Sequence, residues 1–284
     1  MIPKPAIIDI SEWQLPSKID YDKLAKQISG VIVRIQYGSA YEDKHYRTHI
    51  REFKKRGIPI AVYAWVRGVD HKDMEKEAEL FWLRGKEFEP SFWWLDIEEF
   101  SMADMRSGCE YYRRKLKKSG AKKVGAYIAN HLYQRLNIDT KAFDGIWLPT
   151  YGVNDGFYLG ADPTASKNYD LHQYTSNGRL PGYNGALDLN RLNGKPFDYF
   201  FDKNAAGPVE GGTITMKTFT LMTDIYLRKS ADPKAAAITL LKQGQQVKIN
   251  DICIANGYLW GIQPRDDGSK GFLALGEFSG FGRF

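Results

Sequence analysis

Short β-rich runs alternate with helical patterns through most of the chain, and this alternation limits the possible folds more than any other feature. Residues 6–10, 30–36, 59–65, 92–98 and 123–129 are predominantly apolar, rich in Val, Ile and aromatic side chains. Residues 21–28, 46–56, 72–83, 103–119 and 130–136 read as helices, and Gly57 stops the second of them. Such alternation implies parallel strands, each buried on both faces and connected by helices. Three further strand-like runs, at 145–151, 170–174 and 186–189, have no clear helix between them. Eight strands predict an α/β barrel whose last crossovers have lost their helices. An open doubly wound sheet is the alternative. Asp9-Ile10-Ser11-Glu12-Trp13 stands where a nucleotide-binding sheet carries its Gly-rich phosphate loop, so nucleotide binding loses support.

A chain of 284 residues has room for two domains. Near residue 203 the texture changes. Residues 204–213 are small and Gly-rich, contain Pro208, and read as a linker. Beyond them, alternating runs recur at 215–221, 225–228, 239–241, 246–252, 258–263 and 271–274, with a short Ala-rich piece at 235–237. Segments this short with frequent turns predict a small β-barrel. The expected division is therefore a barrel over 1–203, a linker over 204–213 and an all-β domain over 214–284.

A formal net charge of +6 favours polyanionic partners. The basic residues are spread over both parts, however, and the densest run, Arg113 to Lys123, reads as a solvated helix end where cations suit the dipole. Nucleic acid is not an expected partner. Two cysteines, Cys109 and Cys253, imply neither a disulfide framework nor a metal site. His45 and His49 have metal-binding helical spacing but no evident third ligand. No metal or cofactor is expected, and no Gly-x-Ser-x-Gly elbow occurs. No stretch approaches the roughly 18 apolar residues of a membrane span, and Asp9 comes too early for a signal peptide. Synthesis in a reducing cytoplasm, with release by another agent, is the resulting expectation.

In α/β barrels, functional residues gather at the C-terminal ends of the strands. Acids stand at those positions: Asp9 ends the first strand, Asp96 and Glu98 end the fourth, and Asp188 lies in the last. Residues two apart on a strand share a face, so Asp96 and Glu98 point the same way. Repulsion and desolvation would leave one of the two protonated near neutral pH. A protonated carboxyl beside an ionised one is what glycoside hydrolysis requires. An Asp at a strand end also commonly caps the following helix, and a Glu98-Glu99 pair also suits a solvated turn.

These residues carry a family likeness. The front part resembles glycoside hydrolase family 25, the lysozymes that cleave the β-1,4 bond after N-acetylmuramic acid. The matching segments are Ile8-Asp9-Ile10-Ser11 with Trp13 and Gln14, Val33-Arg34 with Tyr37-Gly38, Ala61-Val62-Tyr63, Trp94-Leu95-Asp96-Ile97-Glu98, Gly125-Ala126-Tyr127, Gly145-Ile146-Trp147, Gln173 to Gly178, and Leu187-Asp188-Leu189-Asn190. The resemblance implies a modified (β/α)5(β)3 barrel of TIM type, with Glu98 as general acid and Asp96 as the partner that orients the substrate N-acetyl group. It implies that Asp9 and Asp188 line the groove, with Arg34, Tyr37, Tyr63, Trp65, Tyr127, Trp147 and Gln173 as substrate-binding candidates. His172 stands where the family commonly has Trp, and Trp65 and the run 148–151 also depart from its pattern, which bears on subsites rather than on the acids. The tail resembles a bacterial SH3-type wall-binding domain in residues 222–230, 242–245, Trp260 and 270–272. The combination looks like a bacteriophage endolysin: a monomer with peptidoglycan as its partner and no membrane insertion.

Overall fold

In the computed structural model the chain divides into two compact units, Met1–Val209 and Glu210–Phe284. The structure describes residues 2–202, 217–249, 251–265 and 269–277; the linker expected at 204–213 lies outside them.

In the first unit the elements run β1 (Ile7–Ile10), α1 (Tyr21–Ala25), β2 (Gly30–Tyr37), β3 (Tyr41–Glu42), α2 (Tyr46–Lys54), β4 (Ile60–Trp65), α3 (His71–Gly85), β5 (Trp93–Ile97), α4 (Met105–Ser119), β6 (Val124–Ile128), α5 (Tyr133–Leu136), β7 (Ile146–Pro149), β8 (Leu171–Leu180), β9 (Tyr183–Leu192) and α6 (Phe197–Phe200). The sheet order is β1-β9-β8-β7-β6-β5-β4-β2-β3, and β1 also pairs with β2. Eight strands thus close into a barrel, and β3 hangs on β2 outside the ring. The pairings from β1 through β2 and β4 to β8 are parallel, while β9 runs antiparallel to both β8 and β1. A doubly wound sheet is excluded because no open edge separates β1 from β2 or β9.

Local chemistry sets the helix boundaries. Asp20, Asp70 and Asp104 each accept a hydrogen bond from the backbone N–H three residues on, capping α1, α3 and α4. At the C-terminal end of α4, Gly120 takes φ +123°, a conformation that a side chain disfavours. The fifth helix is shorter than its pattern predicts, a single turn. The last two strands are longer: β8 continues through Thr175-Ser176-Asn177-Gly178, whose polarity hid it, because β9 supplies the ladder through a series of register shifts.

Strand alternation divides the core in two. Ile8, Val31, Val33, Val62, Trp93, Leu95 and Ala126 face the surrounding helices, whereas Ile7, Ile32, Ala61, Phe92 and Trp94 fill the barrel. Phe200 and Phe201, from α6 and its C-terminal cap, complete this inner cluster. Glycine makes room for it: a Cβ on Gly30 would lie 2.9 Å from the Phe201 ring, and one on Gly125 would lie 2.4 Å from Trp94. One end of the barrel is therefore packed with rings, and the same alternation delivers polar side chains to the other end.

The second unit contains strands β10 (Lys217–Thr220), β11 (Ile225–Arg228), β12 (Ala237–Leu241), β13 (Gln246–Ile249), β14 (Asp251–Ala255), β15 (Tyr258–Pro264) and β16 (Lys270–Glu277). They form a two-stranded sheet, β10-β13, and a five-stranded sheet, β12-β11-β16-β15-β14. Leu221, Leu227, Val247, Ile249 and Leu273 make its core. Among the described residues of this unit no helix occurs. The Ala-rich piece runs into β12, and the stretch 246–252 divides between β13 and β14. Among the described residues of the chain, no helix is long and apolar enough to cross a membrane.

Candidate active site

The inner face that carries Ile7 carries Asp9 two residues later. The same step takes Ile32 to Arg34, Ala61 to Tyr63, Trp94 to Asp96 and Leu171 to Gln173. These side chains meet at the mouth of the barrel, in a cleft of about 210 Å³. Glu98 joins them from one residue beyond β5, and Asp188 enters from β9, where it is paired in register with Asp9. All four acids singled out in the sequence therefore line one cleft, together with Tyr127, Trp147 and Trp65. None of the four caps a helix.

Tyr37 does not line the cleft. Its ring packs against Trp65 with centroids 5.3 Å apart, and the Arg67 guanidinium lies 4.7 Å from its centroid. Gln173 lines the cleft, but its amide is engaged within the protein. Its Nε2 donates to both carboxylate oxygens of Asp9, at 3.1 and 3.0 Å, while its Oε1 accepts from the hydroxyls of Tyr127 and Tyr151, at 3.0 and 2.7 Å. Trp65 donates its indole N–H to Glu99 at 2.9 Å.

Three cleft residues, Ser11, Trp13 and Tyr151, were not among the candidates, and neither was Asn190, which donates to Asp9 at 2.7 Å. Asn190 stands two residues after Asp188 on β9, so the spacing that pairs Asp96 with Glu98 also points to it. Trp13 is 75% exposed, and no pattern distinguishes an exposed indole from a core one before the chain is folded.

The electrostatics follow from crowding four carboxyls into a dry space. Burial pushes Asp9 up to about 6, although the Asn190 and Gln173 amides favour its charged form. Burial and the neighbouring Asp9 and Glu98 charges push Asp188 up to about 8. Asp96 is 5% exposed, and burial followed by the Glu98 charge holds it well above the ordinary carboxylate range. Glu98 is also raised, first by burial, while a hydrogen bond shared with Asp96 acts in the opposite direction. The Asp96–Glu98 pair therefore retains a proton where free carboxylates would not, and it titrates as a unit. Asp96 Oδ1 is buried and receives no hydrogen bond from an N–H or hydroxyl among the described residues. Arg34 on β2 also lines the cleft and its charge acts against the rise of Asp96, but its ion pairs are with Asp43 and Glu12.

A closed α/β barrel with a proton-holding carboxyl pair at its mouth, beside aromatic walls, has the parts of a glycoside hydrolase. The chain belongs to the family described as glycosyl hydrolases family 25, whose model matches residues 8–183. It is similar to GHIP, a glycosyl hydrolase 25 of Streptococcus pneumoniae described as a virulence factor participating in host cell invasion, at 40% identity over 70% of this chain and 93% of that one, with a TM-score of 0.67. It is also similar to the catalytic domain of the endolysin ply40 from bacteriophage P40 of Listeria monocytogenes, at 26% identity over 71% of this chain and 97% of that one, with a TM-score of 0.63. The bacterial lysozyme of Streptomyces coelicolor shares the fold at 19% identity over 70% of this chain and 97% of that one, with a TM-score of 0.56. Curated proteins yield no match.

Proposed function

We propose that this glycoside hydrolase cleaves the β-1,4 bond between N-acetylmuramic acid and N-acetylglucosamine in bacterial peptidoglycan. The carrying observation is the buried Asp96–Glu98 pair, which keeps a proton at the mouth of a cleft walled by Tyr63, Tyr127 and Trp147. Glu98 delivers the proton shared by the pair to the glycosidic oxygen as the C1–O bond breaks, which leaves Asp96 ionised. The carbonyl oxygen of the substrate's own N-acetyl group bonds to C1, and Asp96 accepts the amide hydrogen. Water then attacks C1 and breaks that bond, Asp96 returns the hydrogen to the amide nitrogen, and the proton released from the water goes to Glu98. The configuration at C1 is retained.

Two features favour this route over direct attack by a water activated at Asp9 or Asp188. Both oxygens of Asp9 already accept amide hydrogens. Burial and the Asp9 and Glu98 charges push Asp188 up to about 8, which favours its protonated form and makes it a poor base near neutral pH. NMR of the first-formed anomer tests the route, and an inverted product would exclude it. Trp13, exposed at the rim of the cleft, offers an apolar face to a further ring of the glycan.

The bond itself is tested by digesting purified peptidoglycan and identifying the new reducing-end sugar by mass spectrometry. Muramic acid is expected there, and glucosamine would overturn the assignment. Glu98→Gln is expected to lose roughly 10³-fold or more in kcat while remaining folded. Lysis at the wild-type rate by that variant would remove Glu98 from the chemistry.

The second unit, in this reading, is an SH3-like domain that holds the enzyme to the wall. The likeness to a phage endolysin domain supports a lytic role at the end of an infection, with the enzyme made in the host cytoplasm and reaching the wall after release.

A further inference from the structure

Arg34 is 7% exposed, so its charge needs a committed counter-ion. Two sets of carboxyls compete for it. On one side stand the cleft acids: Asp9 on β1, Asp96 on β5, Glu98 just beyond it and Asp188 on β9. On the other stand Asp43, between β3 and α2, and Glu12, in the segment after β1. Arg34 Nε donates to Asp43 Oδ2 at 3.1 Å, and Nη2 lies 3.4 Å from Glu12 Oε1. Asp43 is 2% exposed and is fixed from several directions. Its Oδ2 also accepts from the Glu12 backbone N–H at 2.9 Å, its Oδ1 accepts from that of His45 at 3.0 Å, and its own N–H donates to the Ile35 carbonyl at 2.9 Å. Glu12 is steadied in turn by the Tyr41 hydroxyl, which donates to Oε2 at 2.5 Å.

We propose that Asp43, seconded by Glu12, is a positioning residue for the reaction: it holds the Arg34 guanidinium away from the acid pair, so that the pair keeps the proton it must deliver. A cation brought against a carboxyl favours its ionised form. Arg34 already acts on Asp96 in that direction, against burial and the Glu98 charge. Among the described residues, the titratable groups that act on the pair besides Arg34 include Asp9, Glu99, Tyr63, Tyr127, Tyr151 and Asp188, all of them acids or tyrosines. Without Asp43 the guanidinium turns to Asp96, whose Oδ1 receives no N–H, and the shared proton is lost at lower pH.

The test compares the wild-type protein with Asp43→Asn and Glu12→Gln in two measurements, the pH profile of kcat and the carbon-13 NMR titration of the Asp96 and Glu98 carboxyls. In Asp43→Asn the alkaline limb and the carboxyl titration are expected to move together to lower pH by about one unit. Glu12→Gln shifts them the same way by less. Adding Arg34→Gln to Asp43→Asn cancels the shift. A role confined to folding would lower activity at every pH and leave the titration in place, which would overturn the inference. If Asp43→Asn does not fold, Glu12→Gln decides by the same criterion.

The inference rests on the proposed acid role of Glu98, and the two measurements separate them. An unmoved titration rejects the role of Asp43 and leaves Glu98 as the acid. A shifted titration with an unmoved rate profile removes the pair from the chemistry, and Asp43 with it.

Discussion

Asp188 illustrates what a site of this kind does to the stability of its protein. Its pKa is raised from 3.8 to about 8, so the folded chain holds this proton to higher pH than the unfolded chain does. The stability it contributes is complete below pH 3.8 and is lost as pH rises through about 8. Above that, a carboxylate must be kept charged in a poorly hydrated cleft beside Asp9 and Glu98. Asp188→Asn cannot ionise, so its stability relative to wild type should increase with pH, reaching on the order of 1–3 kcal/mol near pH 9. Calorimetric Tm values across a pH series check this, and a difference independent of pH would contradict it. Gln173 makes the complementary point. It reads as a substrate contact and lines the cleft, and its amide is also divided between Asp9 and two tyrosine hydroxyls, so that it braces an acid.

The β8–β9 hairpin closes the barrel and carries Gln173, Asp188 and Asn190 on its two strands. Its turn depends on Gly182, whose φ is +105° and whose carbonyl accepts from the Asp20 backbone N–H at 2.8 Å. A Cβ there would lie 2.4 Å from the backbone nitrogen of Leu24, and backbone cannot yield as a side-chain tip can. Gly182→Ala is expected to lower stability by about 2 kcal/mol, seen in urea unfolding, and to reduce activity by displacing β9. The polarity of 175–180 conceals the true length of β8, since the alternation that marks a strand fails where the ladder bulges.

At the scale of the whole chain, the two units divide chemistry from the proposed anchoring. Deleting residues 210–284 should slow lysis of intact cells at least tenfold while leaving hydrolysis of soluble glycan fragments within about twofold, because linkage to a second binding module raises local concentration without altering the bond-breaking step. Turbidity clearing and reducing-sugar release measure the two effects. Equal loss in both would mean that the second unit supports the first rather than the wall contact.

The barrel and its four acids were legible in the sequence because both rest on short-range periodicity. Apolar runs mark strands buried on two faces, and a spacing of two carries Ile7 to Asp9 and Trp94 to Asp96 on one inner face. What periodicity does not encode is which polar groups meet across the closed ring. Asp9 faces Asp188 because an antiparallel ninth strand completes the sheet. Asn190 reaches Asp9 through that closure, Tyr151 and Trp13 line the cleft from loops, and Tyr37 stays out of it although it stands at a strand end. The raised acids and the pairing of Arg34 with Asp43 and Glu12 arise from desolvation and charge proximity between residues that are not neighbours in sequence. Tertiary structure alone decided them, because both depend on distance through space and not on distance along the chain.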